Sequence, residues 1–178
     1  MKYEKREIRD RKAEDDSGCA ALLGRLVHHL IAENISVSAM ESCTSGLLAS
    51  GITDTEGASA VFKGAFVTYS NEAKVAQGVS AELIARYGVY SLPVAEAMAR
   101  ACREAYHAEL GIGITGTTGN PDPVNADSAE GEVYYAILWR GEKCLRRLQL
   151  DTAGLSRHAI KERIVAEVAA SACALLGI

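Results

Sequence analysis

The sequence contains no Cys-x-x-Cys pair and no His-x-x-x-His pair, which argues against the common preformed zinc sites. The glycine-containing pieces CTSG and GITGTTGN match neither GxGxxG nor GxxxxGK[ST], so dinucleotide-binding and P-loop readings fail for them. No stretch approaches the roughly 20 apolar residues of a membrane span, and no apolar run follows the charged start as in a signal peptide. Positive charge is not in excess either. With 19 basic and 23 acidic residues the formal net charge is -4, so nucleic acid is not an expected partner. The five cysteines, at 19, 43, 102, 144 and 173, are odd in number and widely spaced. They suit a reducing compartment better than a disulfide framework, and a cytoplasmic location is expected.

What is present is enough apolar sequence for one core. At 178 residues and 48% hydrophobic, with no internal repeat, the chain reads as a single domain over 17–178. Residues 1–16 are a charged extension or the start of the first helix. Leu22, Leu23, Leu26, Val27, Leu30 and Ile31 recur at helical period over 17–33, with Asp16 or Ser17 as N-cap. Residues 36–40 alternate as a short strand and a helix follows over 44–53. A second strand is expected over 64–70, then a short helix from 71 with Asn71 as cap, and another over 80–88. Ser91 and Pro93 open a helix over 93–107, and LGIGITG at 110–116 reads as a buried strand. Strands over 132–139 and 143–150 form a hairpin, and a last helix runs over 156–175. Four or five strands with about six helices imply an α/β fold, a mixed central sheet covered on both faces.

Three polar segments directly follow strands, at 41–46, 69–74 and 115–131, and in an open α/β sheet such segments can converge along one edge. Ser42 is the first nucleophile candidate and needs a base within hydrogen-bond reach. His28, His29, His107 and His158 all fall in stretches read as helices, so a Ser-His-Asp arrangement is poorly supported. Lys74 offers an alternative base if burial or neighbouring charge lowers its pKa, and Tyr69 is close enough in sequence to share a proton with either group. Cys43 competes with Ser42, since a helix N-terminus lowers a thiol pKa. The same helix start, with its unpaired amides, would suit an anion. Asp122 and Asp127 in the long loop are candidates for a hard cation, although turn chemistry accounts for both.

These residues carry a resemblance. ESCTSGLLAS at 41–50, GASAVFKGAFVTYSNEAK at 57–74, GVS at 78–80, GITG at 113–116 and GEVYYAI at 131–137 occur in the order and spacing of one family. The chain resembles the C-terminal domain of the competence/damage-inducible CinA proteins, whose stand-alone members include nicotinamide mononucleotide deamidases. The resemblance implies a three-layer α/β/α domain, often a homodimer, and a serine amidohydrolase that needs neither metal nor cofactor. It places Ser42 on the nucleophile, Lys74 on the base and Tyr69 on an assisting tyrosine. Cys43, Thr44, Ser45 and Gly46 fall on the polar helix start, and Thr115, Gly116 and Thr117 on a turn suited to a phosphate. Arg157 and Lys161 match basic positions of the last helix suited to an anionic substrate. The chain departs from the family where CTGG becomes CTSG and where GIAGPxGG becomes GTTGNPDPVN. It departs again where an acid-arginine pair becomes Ser156-Arg157. The expected partner is a phosphorylated nucleotide. The alternatives are a different small amide, or a nucleotide-binding or assembly domain without catalysis.

Overall fold

The computed structural model describes residues 18–119, 122, 125 and 128–178. The charged N-terminal segment, the Asp16 or Ser17 cap and Asp127 lie outside the described residues. Helix α1 (Cys19–Ala32) leads to strand β1 (Val37–Glu41), helix α2 (Leu47–Thr53), a 3-10 turn and strand β2 (Phe62–Val67). Helices α3 (Asn71–Ala76), α4 (Ala81–Tyr87) and α5 (Leu92–Ala105) precede strand β3 (Leu110–Gly116). Strands β4 (Glu132–Trp139) and β5 (Glu142–Gln149) and helix α6 (Arg157–Leu176) complete the chain.

The sheet order is β2-β1-β3-β4-β5, with β2, β1 and β3 parallel and β4 and β5 antiparallel. Helices α1, α2 and α6 cover one face and α5 the other, so the architecture is the expected α/β/α sandwich with a mixed sheet. Strand β1 is flanked by β2 on one side and β3 on the other. Successive connections therefore leave the carboxyl ends of three parallel strands and open a crevice there. The crevice is where the polar segments after β1, β2 and β3 meet.

Strand β3 explains how tightly the layers close. Leu110, Ile112 and Ile114 point into the core beneath α1 and α6. Gly111 and Gly113 face α5 instead. A Cβ at Gly111 would lie 2.3 Å from the Ala99 carbonyl oxygen, and one at Gly113 would lie 2.2 Å from that of Ala95. With Ala136 of β4 opposite Gly113, the floor under α5 is built from small residues, and the helix backbone rests almost directly on the sheet.

Element boundaries differ from the sequence reading for identifiable reasons. The helix expected over 44–53 starts only at Leu47, because Ser45 (φ 52°) and Gly46 (φ 93°) are left-handed and make a tight turn first. The strand expected over 64–70 spans 62–67. Ser70, rather than Asn71, caps α3: its Oγ accepts from the Ala73 amide at 3.1 Å. Ser91 caps α5 as expected, with Pro93 in the first turn. The β4–β5 hairpin turns through Arg140 (φ 46°) and Gly141 (φ 90°), the two left-handed residues that a two-residue hairpin loop requires.

The glycine floor yields a direct test. Gly113→Ala should cost about 1–3 kcal/mol or more, because the added methyl meets helix backbone rather than a movable side chain. Urea unfolding should show a lowered midpoint with an unchanged slope. A midpoint equal to that of the wild type would disprove the close approach.

Candidate active site

Ser42 is the first residue beyond β1. Its amide still donates to the Ile114 carbonyl of β3 at 3.0 Å, so the sheet itself fixes where its side chain starts. Lys74 arrives from the β2 side on α3 and is 2% exposed. Its Nζ lies 3.0 Å from Ser42 Oγ and donates to the Thr68 carbonyl at 2.8 Å. Burial pushes this amine down to about 8, against the opposing pull of neighbouring negative charge, of which Asp122 is one source. A neutral lysine keeps the N–H bond to Thr68 and turns its lone pair to the serine hydroxyl, so the same contact then runs from Ser42 Oγ–H to Nζ. Such an arrangement can activate a serine without a histidine.

The surroundings decide between the two candidate nucleophiles. Cys43 lines the same cavity, yet burial, the largest cause, pushes its thiol up to about 12. It is a protonated thiol near neutral pH, which corrects the expectation that the helix start would activate it. The helix start is itself occupied. Glu41, fully buried at the end of β1, accepts from the amides of Gly46 (3.0 Å), Leu48 (3.2 Å) and Ala49 (2.9 Å). An internal carboxylate therefore fills the anion position that sequence reasoning left open for a ligand. The Ser45 and Leu47 amides bond to the carbonyls of Ser42 and Thr44.

Ser42 and Lys74 open onto a cavity of about 450 Å³, also lined by Tyr69, Tyr90, Gly116, Thr117, Thr118, Asp122, Asn125 and Arg157 among others. A larger groove of about 750 Å³ between α4 and α5 contains none of these groups and is lined by surface residues. The chemistry therefore locates the site in the smaller, more polar cavity. Tyr69 is 63% exposed at its rim. Its hydroxyl accepts from Arg157 at 3.2 Å, and it bonds to neither Ser42 nor Lys74. The expected proton sharing thus has no contact to run through. Arg157, in the first turn of α6, lines the cavity; Lys161, a turn further on, does not.

Several expected binding residues have other tasks. Thr115 is fully buried and donates to the Val89 carbonyl at 3.1 Å, tying β3 to the segment before α5. Gly116 (φ 150°) passes the backbone where a Cβ would lie 2.5 Å from the Glu132 carbonyl oxygen. Thr117 faces the cavity while its hydroxyl donates to the Ala129 carbonyl. Thr44 is buried with its hydroxyl unpaired among the described residues, and neither it nor Gly46 lines the cavity. Ser45 is exposed and also stands outside the lining, so its side chain does not narrow the cavity. The sequence reading missed one network entirely. Tyr90 Oη and Asn125 Nδ2 each donate to Asp122 Oδ2 at 2.6 Å, and Asn71 Nδ2 donates to Asn125 Oδ1 at 3.2 Å. Asn125 three residues after Asp122 was the available signal, and it is indistinguishable from ordinary turn chemistry.

Among the described residues, no group of three His, Cys, Asp or Glu side chains is placed to hold a metal, and no helix is long and apolar enough to cross a membrane. Comparison with known proteins adds the family. Residues 20–175 match the CinA C-terminal domain. A CinA-like protein of Desulfovibrio desulfuricans is 43% identical over 134 residues, covering 75% of this chain and 31% of that protein. A competence-damage inducible protein of Clostridium kluyveri is 39% identical over 151 residues, 84% of this chain and 35% of that one. The chain thus spans about a third of the length of the curated relatives it matches. Among solved structures, the competence/damage inducible protein CihA of Agrobacterium tumefaciens superposes with a TM-score of 0.82 at 28% identity, covering 92% of this chain and 98% of that one. A CinA superfamily protein of Escherichia coli gives 0.79 at 26% identity, with 90% and 91% covered. Fold, motif order and sequence agree, and the chain belongs to the CinA C-terminal domain family.

Proposed function

We propose that this chain is a serine amidohydrolase that deamidates nicotinamide mononucleotide to nicotinate mononucleotide and ammonia. The observation that carries the reading is the buried 3.0 Å contact between Lys74 Nζ and Ser42 Oγ, with an amine whose pKa is lowered to about 8. In this scheme Ser42 attacks the carboxamide carbon as Lys74 takes the hydroxyl proton. The amides of Cys43 and Thr44 are the donors that directly follow the nucleophile in sequence. Loss of one such oxyanion donor typically costs about 2.7–4 kcal/mol in the transition state. Lys74 returns its proton to the leaving ammonia. Water, deprotonated by the same amine, then attacks the acyl-enzyme carbonyl, and Ser42 leaves with a proton. Arg157 at the rim offers a guanidinium to the substrate phosphate.

A second reading keeps the chemistry and changes the amide. It is favoured by the altered segment after Gly116, which supplies Asp122 and Asn125 to the cavity wall. Ammonia release from nicotinamide mononucleotide, nicotinamide riboside and free nicotinamide separates the two. The first reading requires the nucleotide to be the best substrate. A Ser42→Ala protein should lose roughly 10⁴-fold or more in turnover while still binding ligand, and undiminished turnover would remove Ser42 as nucleophile.

The lysine makes two further demands. Activity should rise with pH with a midpoint near about 8 and fall tenfold per unit well below it, since only neutral Lys74 is a base. A flat profile from pH 6 to 9 with chemistry rate-limiting would contradict the assignment. Stability carries a pH dependence of its own. The folded-state pKa lies below the ordinary 10.5, so the unfolded chain binds more protons between about 8 and 10.5, and stability rises with pH across that window. Lys74→Met removes the cost of burying the ammonium. It should therefore melt above the wild type at pH 7, with the gap closing towards pH 10.5. A variant that melts lower at pH 7 would show that the amine is not penalised in the folded state.

A further inference from the structure

Resting on the amidohydrolase reading, we infer that the ring of Tyr90 is the platform on which the acyl group of the substrate lies, so that the site takes a flat aromatic carboxamide in preference to a puckered aliphatic one. Among the described residues, two tyrosines line the cavity that holds Ser42 and Lys74, and their settings differ. Tyr69 is exposed at the rim, with its hydroxyl bonded to Arg157. Tyr90 is half-buried and packs against the apolar cluster that includes Val94 and Met98, so core backs the ring while the cavity opens in front of it. Its hydroxyl is near enough to the Cys43 thiol for the two to interact electrostatically, which sets the ring beside the residue that follows the nucleophile. With Val89 and Cys43 it gives this part of a largely polar lining an apolar surface.

The ring is also held still. Directly before it, the Val89 carbonyl accepts from Thr115 Oγ1 at 3.1 Å, which ties this backbone to β3. Directly after it, Ser91 Oγ donates to the Gly88 carbonyl at 2.9 Å and accepts from the Val94 amide at 3.4 Å as the cap of α5. At the far end of the side chain, the Tyr90 hydroxyl donates to Asp122 Oδ2 at 2.6 Å. A ring fixed at both ends loses little further freedom when a ligand settles on it, and two flat rings attract beyond the area that they bury. If Tyr90 served only to tie the loop of Asp122 to α5, its hydroxyl would matter and its ring would not. Two variants separate the roles: Tyr90→Phe removes the tie and keeps the ring, whereas Tyr90→Leu removes both.

The test is an NMR titration of benzamide, which is flat, and cyclohexanecarboxamide, which is puckered, into wild-type, Tyr90→Phe and Tyr90→Leu protein; the probes are similar in size and carry neither charge nor phosphate. The wild type should bind benzamide about three- to tenfold more tightly. Tyr90→Phe should keep that preference, and Tyr90→Leu should bring the two amides near parity. Equal affinities in the wild type, no measurable binding of benzamide, a preference that survives in Tyr90→Leu, or one lost equally in Tyr90→Phe would each overturn the inference. Should the leucine variant fail to fold, the ring protons of bound benzamide decide instead. Lying over an aromatic face moves them upfield in the wild type and in Tyr90→Phe alike, and unmoved resonances would refute the platform. Ammonia release from nicotinamide mononucleotide is followed in parallel. No turnover with the flat-ring preference intact would defeat the amidase reading alone, and turnover without the preference would defeat the platform alone.

Discussion

Everything in the site depends on keeping an amine out of water. Lys74 Nζ has two oxygen neighbours, a serine hydroxyl and a main-chain carbonyl, and neither is a carboxylate. A surface lysine would be protonated and useless as a base; a buried lysine paired with an acid would be protonated as well. The position between these two cases, enclosed but without a salt bridge, is what the proposed role of Lys74 as a base requires. The four histidines of the chain take no part in the cavity lining.

The fold secures that position with economy of contact. Ser42 is placed by the β1–β3 ladder and Tyr90 by its location just before α5, whose backbone lies on the glycine and alanine floor of the sheet. Glu41 has a less visible task. By gathering three amides of the α2 start, it stabilises the tight turn that carries Ser42, Cys43 and Thr44 out of the strand. The turn is then free of any duty to bind a substrate anion, and a side chain at Ser45 is tolerated on the outside.

Much of this was legible in the sequence because it follows from periodicity and caps. The bounds of β3 are those read from LGIGITG, and Ser80 and Ser91 cap their helices as their positions suggest. The convergence of Ser42 and Lys74 on one cavity follows from parallel strands whose ends share an edge. What failed to show was anything set by side-chain direction. Nothing in VTYSNEAK indicates that Tyr69 turns outward to Arg157, 88 residues away, while Lys74 turns inward. Thr115 and Thr117 are near neighbours in sequence, yet one is sealed beneath Val89 and the other faces the cavity, because strand alternation meets the kink at Gly116. The role of Glu41 was hidden for a related reason: an acid at the end of an apolar strand reads as a site residue, and here it is a cap reached from the strand side.

The walls around the cavity are not equally firm. Two belong to the sheet and to α5. The third is α3, six residues long, whose single buried side chain is Lys74 itself, followed by α4, which buries none. A short helix seated by the side chain of its own buried lysine is held down best when that side chain is uncharged, so acidification loosens its seat. Warming would act on the same hinge: the serine stays in register with the sheet while the segment 71–87 opens and recloses as a separate unit, at a free-energy cost below that of global unfolding. Exposure of Lys74 on heating should then precede loss of the sheet and reverse on cooling.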